Sequence, residues 1–299
     1  AIVWGSGIGG FGSPLGGSAN LVAISYLENI CGHEFMYIDW VSRFLPFLIL
    51  TMLLNLVILL SIKLPVTKLA NTKSYFNDMY KQLGPMSKGE KIGLGLFIIS
   101  TVLAFARPLF ADILPALRPA YIFFICGLLT FMFRDDEGKV LLTWKQAEKE
   151  LMWGMFFLFA GGLALGKLVT GTGAATKLAE VITVMPLTGG IETIFAFTAF
   201  STILTEVSSN TAAASIAIPI IQSIAEALGL NVIPYILVTI VAVNCAYILP
   251  VSTRAIPIGY GLEPSELFKH GVMLSILNVL LTTVVGYIFI NYWPSFGQI

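Results

Sequence analysis

The sequence predicts an all-α protein that crosses a membrane several times, and three observations carry that prediction. Hydrophobic residues make up 57% of the chain and charged residues only 11%, against about 45–50% and about 25% in a soluble domain. Long uncharged runs alternate with short charged segments, and no Lys or Arg occurs between Lys177 and Arg254. Two stretches rich in glycine or proline and one polar island interrupt the apolar runs, so broken helices and a re-entrant hairpin are expected at membrane depth. The 17 basic and 17 acidic residues balance, which gives no electrostatic case for nucleic acid. Cys31, Cys126 and Cys245 are far apart, which argues against a disulfide framework or a metal cluster. His33 and His270 are isolated and read as flanking residues; with no nucleophile–base pair in view, an enzyme is not expected.

The opening stretch, Gly5 to Asn20, is dense in glycine and free of charge, so it cannot be a regular helix throughout. No strand precedes it and no α/β pattern follows, which excludes a dinucleotide fingerprint. Unwound backbone lining a membrane cavity is the expectation. Phe44 to Ile62 reads as a spanning helix. Lys63 to Lys91 holds six lysines against two acids, with Pro65, Gly84 and Pro85, and reads as an aqueous linker. Two further membrane segments follow at about 92–109 and 119–133. Arg134 to Glu137 returns to water, and 140–150 fits an amphipathic interfacial helix. The small-residue run Trp153 to Gly166 opens another membrane segment in which close helix packing is expected.

With an ordinary polar loop joining two spanning helices as the alternative, residues from about 191 to 228 read as the re-entrant hairpin. Its tip, Thr205-Glu206-Val207-Ser208-Ser209-Asn210-Thr211, is polar between arms of roughly 14–17 residues, at or below the ~20 that a spanning helix needs. Ser, Asn and Thr cap helix N-termini, so a helix should start near Ala212 with its positive dipole end at the tip, an environment that suits a carboxylate. A span from Val232 ends in Pro250 to Gly259, where two prolines and a glycine break it. A last span covers about 271–290, with Tyr287, Tyr292 and Trp293 as an interfacial belt. Segments 63–91, 134–149 and 259–270 hold 11 of the 17 basic residues on one side. That skew implies a cytoplasmic linker and an external C-terminus.

Thr205-Glu206, then Ser209-Asn210-Thr211-Ala212 and Pro219, resemble the Ser-Asn-Thr signature of the divalent anion:sodium symporter family, the dicarboxylate and citrate carriers. The opening glycine loop is similar to that family's Gly-Gly-x-x-Thr-Pro-x-Gly-x-Pro-Pro-Asn loop, with Ser13 in place of Thr and Ser18-Ala19 in place of two prolines. Trp153 to Gly166 resembles its Trp…Leu-Phe-Gly-Gly-Gly-x-Ala-Leu run. Leu249-Pro250-Val251-Ser252-Thr253 matches the start of its Leu-Pro-x-x-Thr-Pro-Pro-Asn break, and Arg254-Ala255-Ile256 departs from it.

The resemblance implies an inverted-repeat transporter of small di- or tricarboxylates, coupled to sodium and working by alternating access, in a cell membrane and as a homodimer. Corresponding broken helices in two halves point to a site between repeats. Residues 1–64 would be the tail of a truncated first repeat, 65–90 the linker and 91–299 the second repeat, with its broken helix at about 232–262. An intact protein longer by about 150–200 residues, with a second Ser-Asn-Thr hairpin upstream, is expected from repeat symmetry. Ser209, Asn210, Thr211, Thr253 and Gly17 would bind substrate. Thr205, Ser208, Asn210, Ser252 and Gly16 would surround sodium, and no other cofactor is expected.

Arg254 leaves two readings open: a fixed charge at the site that replaces sodium and makes a sodium-independent exchanger, or a cation that snorkels to water or pairs with Glu263 or Glu266. Glu206 is read as a structural acid, paired with Arg254 or capping a helix, ahead of a proton-coupling role. An antiporter of the wider ion-transporter group, a channel and a non-transporting membrane scaffold are the other classes.

Overall fold

A computed structural model describes residues 2–62, 72–151, 187–250 and 261–298. It also describes Trp153, Gly154, Phe157, Ala160, Gly161, Ala164, Leu168, Thr172, Arg254 and Ile258. Every element of length among the described residues is helical, and the chain divides into two compact units, Ala1–Ser61 with Trp153–Ile299, and Ile62–Met152.

In the first unit, α1 (Ile2–Gly10) and α2 (Ser18–Cys31) flank a break, and α3 (Tyr37–Ser61) follows. The glycine-rich opening is therefore helical as far as Gly10 and unwound only from Phe11 to Gly17. At Gly7 a glycine is needed for close packing, since a Cβ there would lie 3.1 Å from the Asn244 carbonyl oxygen. In α3 the buried stripe includes the polar Thr51 and Asn55, while Leu45, Ile49, Met52, Leu56 and Leu60 face outward. A helix whose exposed face is its apolar one is built for lipid. At about 1.5 Å per residue its 25 residues extend roughly 37 Å, enough to span.

The hairpin consists of α8 (Ile191–Val207) and α9 (Asn210–Ala227), packed on each other. Next comes α10 (Val232–Asn244), apolar on all sides and buried at every position but Ile233, hence the centre of the unit. It packs against α8, α9, α2, α1 and α11 (Pro264–Tyr292). Like α3, α11 buries Ser275, Asn278, Thr282 and Thr283 and exposes Met273, Ile276, Leu280, Val284 and Ile288. It begins before the expected Gly271 because Pro264, which lacks an N–H, suits a first helical turn.

The second unit holds α4 (Thr72–Leu83), α5 (Lys88–Phe105), α6 (Pro119–Leu129) and α7 (Trp144–Glu150). Reciprocal capping boxes start α5, through Ser87 and Glu90, and α7, through Thr143 and Gln146. Arg107 closes the turn between α5 and α6 by donating to the carbonyls of Leu114 and Pro115 at 3.2 and 3.0 Å. The segment read as an aqueous linker contains a helix, α4, none of whose residues is buried.

Candidate functional site

The hairpin tip is a helix start. Ser209 is extended, and its hydroxyl oxygen accepts from the Ala212 N–H at 3.2 Å while its carbonyl accepts from the Ala213 N–H at 2.9 Å. Helix α9 thus begins at Asn210, two residues ahead of expectation, because the cap is Ser209. The positive end of its dipole falls on Asn210 and Thr211.

Facing the tip is the break between α1 and α2. Asn20, fully buried, holds this break in shape: its amide donates to Gly10 O at 2.7 Å and Ser13 O at 2.8 Å, and its carbonyl oxygen accepts from the Asn244 amide at 3.1 Å. Asn244, at the end of α10, also donates to Ile240 O at 2.9 Å. A Cβ at Gly10 would sit 3.1 Å from Asn244 Oδ1, and one at Gly16 would overlap the Gly10 carbonyl oxygen. Side chains are excluded there so that two backbones can close on each other.

Between tip and break lies a cavity of about 190 Å³ lined chiefly by Ser6, Gly17, Ser18, Ser209, Asn210, Thr211 and Asn244. Ser18 Oγ and Thr211 Oγ1 share a hydrogen bond across it. No Asp or Glu is among the described residues of its wall, and Arg254 is the one charged residue among them. A wall of hydroxyls, amides and a helix N-terminus without carboxylates favours an anion.

Beside the cavity three oxygens converge. Thr205 Oγ1 lies 2.9 Å from Asn210 Oδ1 and 2.6 Å from Val243 O. A threonine hydroxyl has one proton and can satisfy only one of those acceptors. The cluster is therefore electron-rich, the environment that hard cations with oxygen ligands prefer.

Behind the tip, Glu206 accepts five hydrogen bonds. Oε1 takes the Tyr247 N–H at 2.7 Å and the Ser275 hydroxyl at 3.1 Å, and Oε2 takes the N–H groups of Ile248 and Leu249 at 3.0 and 3.2 Å. The fifth donor is Arg254 Nη1, 2.8 Å from Oε2, in a pair whose side chains are 5% and 8% exposed. Arg254 Nη2 donates to Thr205 O at 3.1 Å. One carboxylate thus ties the end of α8, the unwound chain after α10 and α11 together. Gly271 lets that unwound chain rest on α11, since a Cβ there would come 2.8 Å from the Tyr247 carbonyl carbon.

Residues 3–298 match the sodium:sulfate symporter transmembrane region. The chain belongs to this symporter family. It is 26% identical over 298 residues to a sodium-dependent dicarboxylate transporter, SdcS, of Staphylococcus saprophyticus, covering 96% of this chain and 57% of the relative. The SdcS of Staphylococcus aureus matches at the same identity and coverage. An uncharacterized transporter of Haemophilus influenzae is 31% identical over 301 residues, covering 96% of this chain and 61% of the relative. The chain therefore spans about three-fifths of the length of the curated relatives it matches. Family membership makes it an integral membrane protein, of a family whose matched members carry the names of transporters.

Of the residues expected at the site of this symporter-family chain, Ser209, Asn210, Thr211, Gly16 and Gly17 line one cavity, and Thr205 is bonded to Asn210. Ser208 turns its hydroxyl back to Leu204 O at 2.6 Å and lies outside the lining. Thr253 and Ser252 lie outside the described residues. Arg254 lines the cavity, and its acidic partner is Glu206, not Glu263 or Glu266. Those two acids sit at the start of α11, where Glu266 pairs with His270 at 3.2 Å and Glu263 is the N-cap. The sequence reading passed over Asn244 and gave Asn20 no role. An amide closing an apolar, uncharged helix was the signal available for Asn244.

Proposed function

We propose that the carrier to which this chain belongs moves a small di- or tricarboxylate across the cell membrane, coupled to sodium, by alternating access. The observation that carries this reading is the carboxylate-free cavity between hairpin tip and glycine break, flanked by the oxygen cluster of Thr205, Asn210 and Val243. Ser209, Asn210 and Thr211 donate to one substrate carboxylate at the N-terminus of α9, with Gly17 and Thr253 completing the wall. Thr205, Ser208, Asn210 and Ser252 surround one sodium ion, and backbone at Gly16 contributes to a second. Drug-sized ligands occupy pockets of about 300–1,000 Å³, so a cavity of about 190 Å³ suits a short organic acid.

Residues 1–64 and 91–299 belong to two inverted repeats joined by a cytoplasmic linker at 65–90. The breaks after α1 and after α10 are matched features of those repeats, α8 and α9 are a re-entrant hairpin, and the C-terminus is external. The carrier works as a homodimer. The names of the two staphylococcal relatives support both substrate class and coupling ion. Sodium-independent exchange rests on Arg254 supplying free charge at the site. Its terminal nitrogens are engaged by Glu206 and Thr205, which supports sodium coupling instead.

Equilibrium binding of succinate to the purified intact carrier tests this reading. Binding should require sodium and disappear in Asn210→Ala. Equal affinity without sodium, or undiminished binding in Asn210→Ala, would contradict it.

A further inference from the structure

The linker helix α4 has a two-faced surface that the site does not use. Tyr75, Phe76, Met79, Tyr80 and Leu83 are all exposed, Tyr80 and Leu83 by 74% and 79%. At 100° per residue these five side chains fall on one side of the helix, Asn77, Asp78 and Lys81 fall on the other, and Lys73 stands at the border beside Tyr80. Residues 63–91 carry six lysines and two acids. An apolar stripe opposite a basic polar face, on a helix too polar overall to span, is the pattern of a helix lying in a membrane interface.

The chain's own connections say which surface is at hand. Residues 62–71 join α4 to the end of the spanning helix α3, and residues 84–87 join it to α5, whose Leu94, Phe97, Ile98 and Val102 are exposed apolar side chains. Four residues reach at most about 14 Å, so the C-terminus of α4 cannot leave the neighbourhood of the α5 N-terminus. We infer that α4 is a membrane-surface anchor that lays its aromatic stripe into the headgroup region and sets its lysines against anionic lipid phosphates. The linker is thereby held on the bilayer rather than free in water. Its affinity depends on anionic lipid and falls as salt screens the lysines.

Spin labels read this directly. The full-length carrier, freed of every native cysteine, Cys31, Cys126 and Cys245 included, with transport retained, is labelled at position 76, 77, 79 or 81. It is reconstituted in phosphatidylcholine with or without phosphatidylglycerol. Labels at 76 and 79 should show a several-fold higher ratio of oxygen to nickel-chelate accessibility than labels at 77 and 81. Phosphatidylglycerol should widen that gap, and Lys73→Glu with Lys81→Glu, read from the labels at 76, 77 and 79, should abolish the widening. High nickel access at all four positions would make the segment an aqueous linker and overturn the proposal. Exclusion of both reagents at 76 and 79 would mean burial against protein, a second copy included, and would overturn it equally. A gap indifferent to phosphatidylglycerol would remove the anionic-lipid recognition. Hydrogen exchange of residues 72–83 in the unsubstituted carrier gives the same answer without mutation: protection should rise several-fold on adding phosphatidylglycerol, and unchanged exchange would refute the inference.

Discussion

Replacing Glu206 by glutamine removes one charge and one acceptor oxygen from a group that receives five hydrogen bonds. If the glutamine oxygen takes the place of Oε2, it keeps Ile248, Leu249 and Arg254 as neutral-acceptor partners. Its amide then faces the Tyr247 N–H, donor against donor, while the Ser275 hydroxyl can turn to accept. Breaking a buried ion pair from one side costs about 3–5 kcal/mol, and an unsatisfied buried N–H about 1–3 kcal/mol. These overlap, so a loss of about 4 kcal/mol is expected, a large share of the 5–15 kcal/mol that holds a typical domain folded. Thermal unfolding of the detergent-purified intact carrier, followed by size-exclusion chromatography, measures it. Glu206→Gln should unfold far below wild type, and Arg254→Gln added to it should cost much less than in the wild-type background. If Glu206→Gln were no less stable than the exposed control Glu226→Gln, or if the two changes were additive, the clasp would not exist as described.

Other changes separate the roles of neighbouring groups. Asn210→Ala should abolish uptake while the protein still inserts, checked by transport and by surface labelling. Thr211→Val should weaken substrate binding more than sodium binding, read from separate titrations of each, because Thr211 faces the cavity and Thr205 holds the oxygen cluster. Gly16→Ala should inactivate transport, since its Cβ would overlap the Gly10 carbonyl. Gly271→Ala forces the chain at Tyr247–Ile248 off α11 and should cost about 1–3 kcal/mol of stability in the same unfolding assay.

What could be read from the sequence was what local chemistry decides. Ser209 caps α9 because serine, whose hydroxyl oxygen accepts from free N–H groups, favours that position, and α3 and α11 declare themselves by length and apolar content. The glycine opening was legible as a break, but not where the break falls, because Ile2 to Gly10 stay helical against glycine's low propensity, with Gly7 and Gly10 closing on Asn244 from far along the chain. Asn20 and Asn244 are far apart in sequence, and no spacing rule brings their amides together. Arg254 was legible as a charge needing a partner and Glu206 as an acid that could pair with it, and they do pair; what the sequence left open was the choice among Glu206, Glu263 and Glu266, which depends on how α8 meets the chain after α10. In the linker, six lysines read as a solvated segment, although the period of a helical stripe was present in Tyr75, Phe76, Met79, Tyr80 and Leu83.

The most direct test of the central claim is uptake of labelled succinate into proteoliposomes containing the intact carrier, driven by an inward sodium gradient. Wild type should accumulate succinate only with sodium outside, Arg254→Lys should remain sodium-dependent, and Asn210→Ala should show no uptake above empty vesicles. Sodium-independent accumulation by wild type, or normal uptake by Asn210→Ala, would contradict the account.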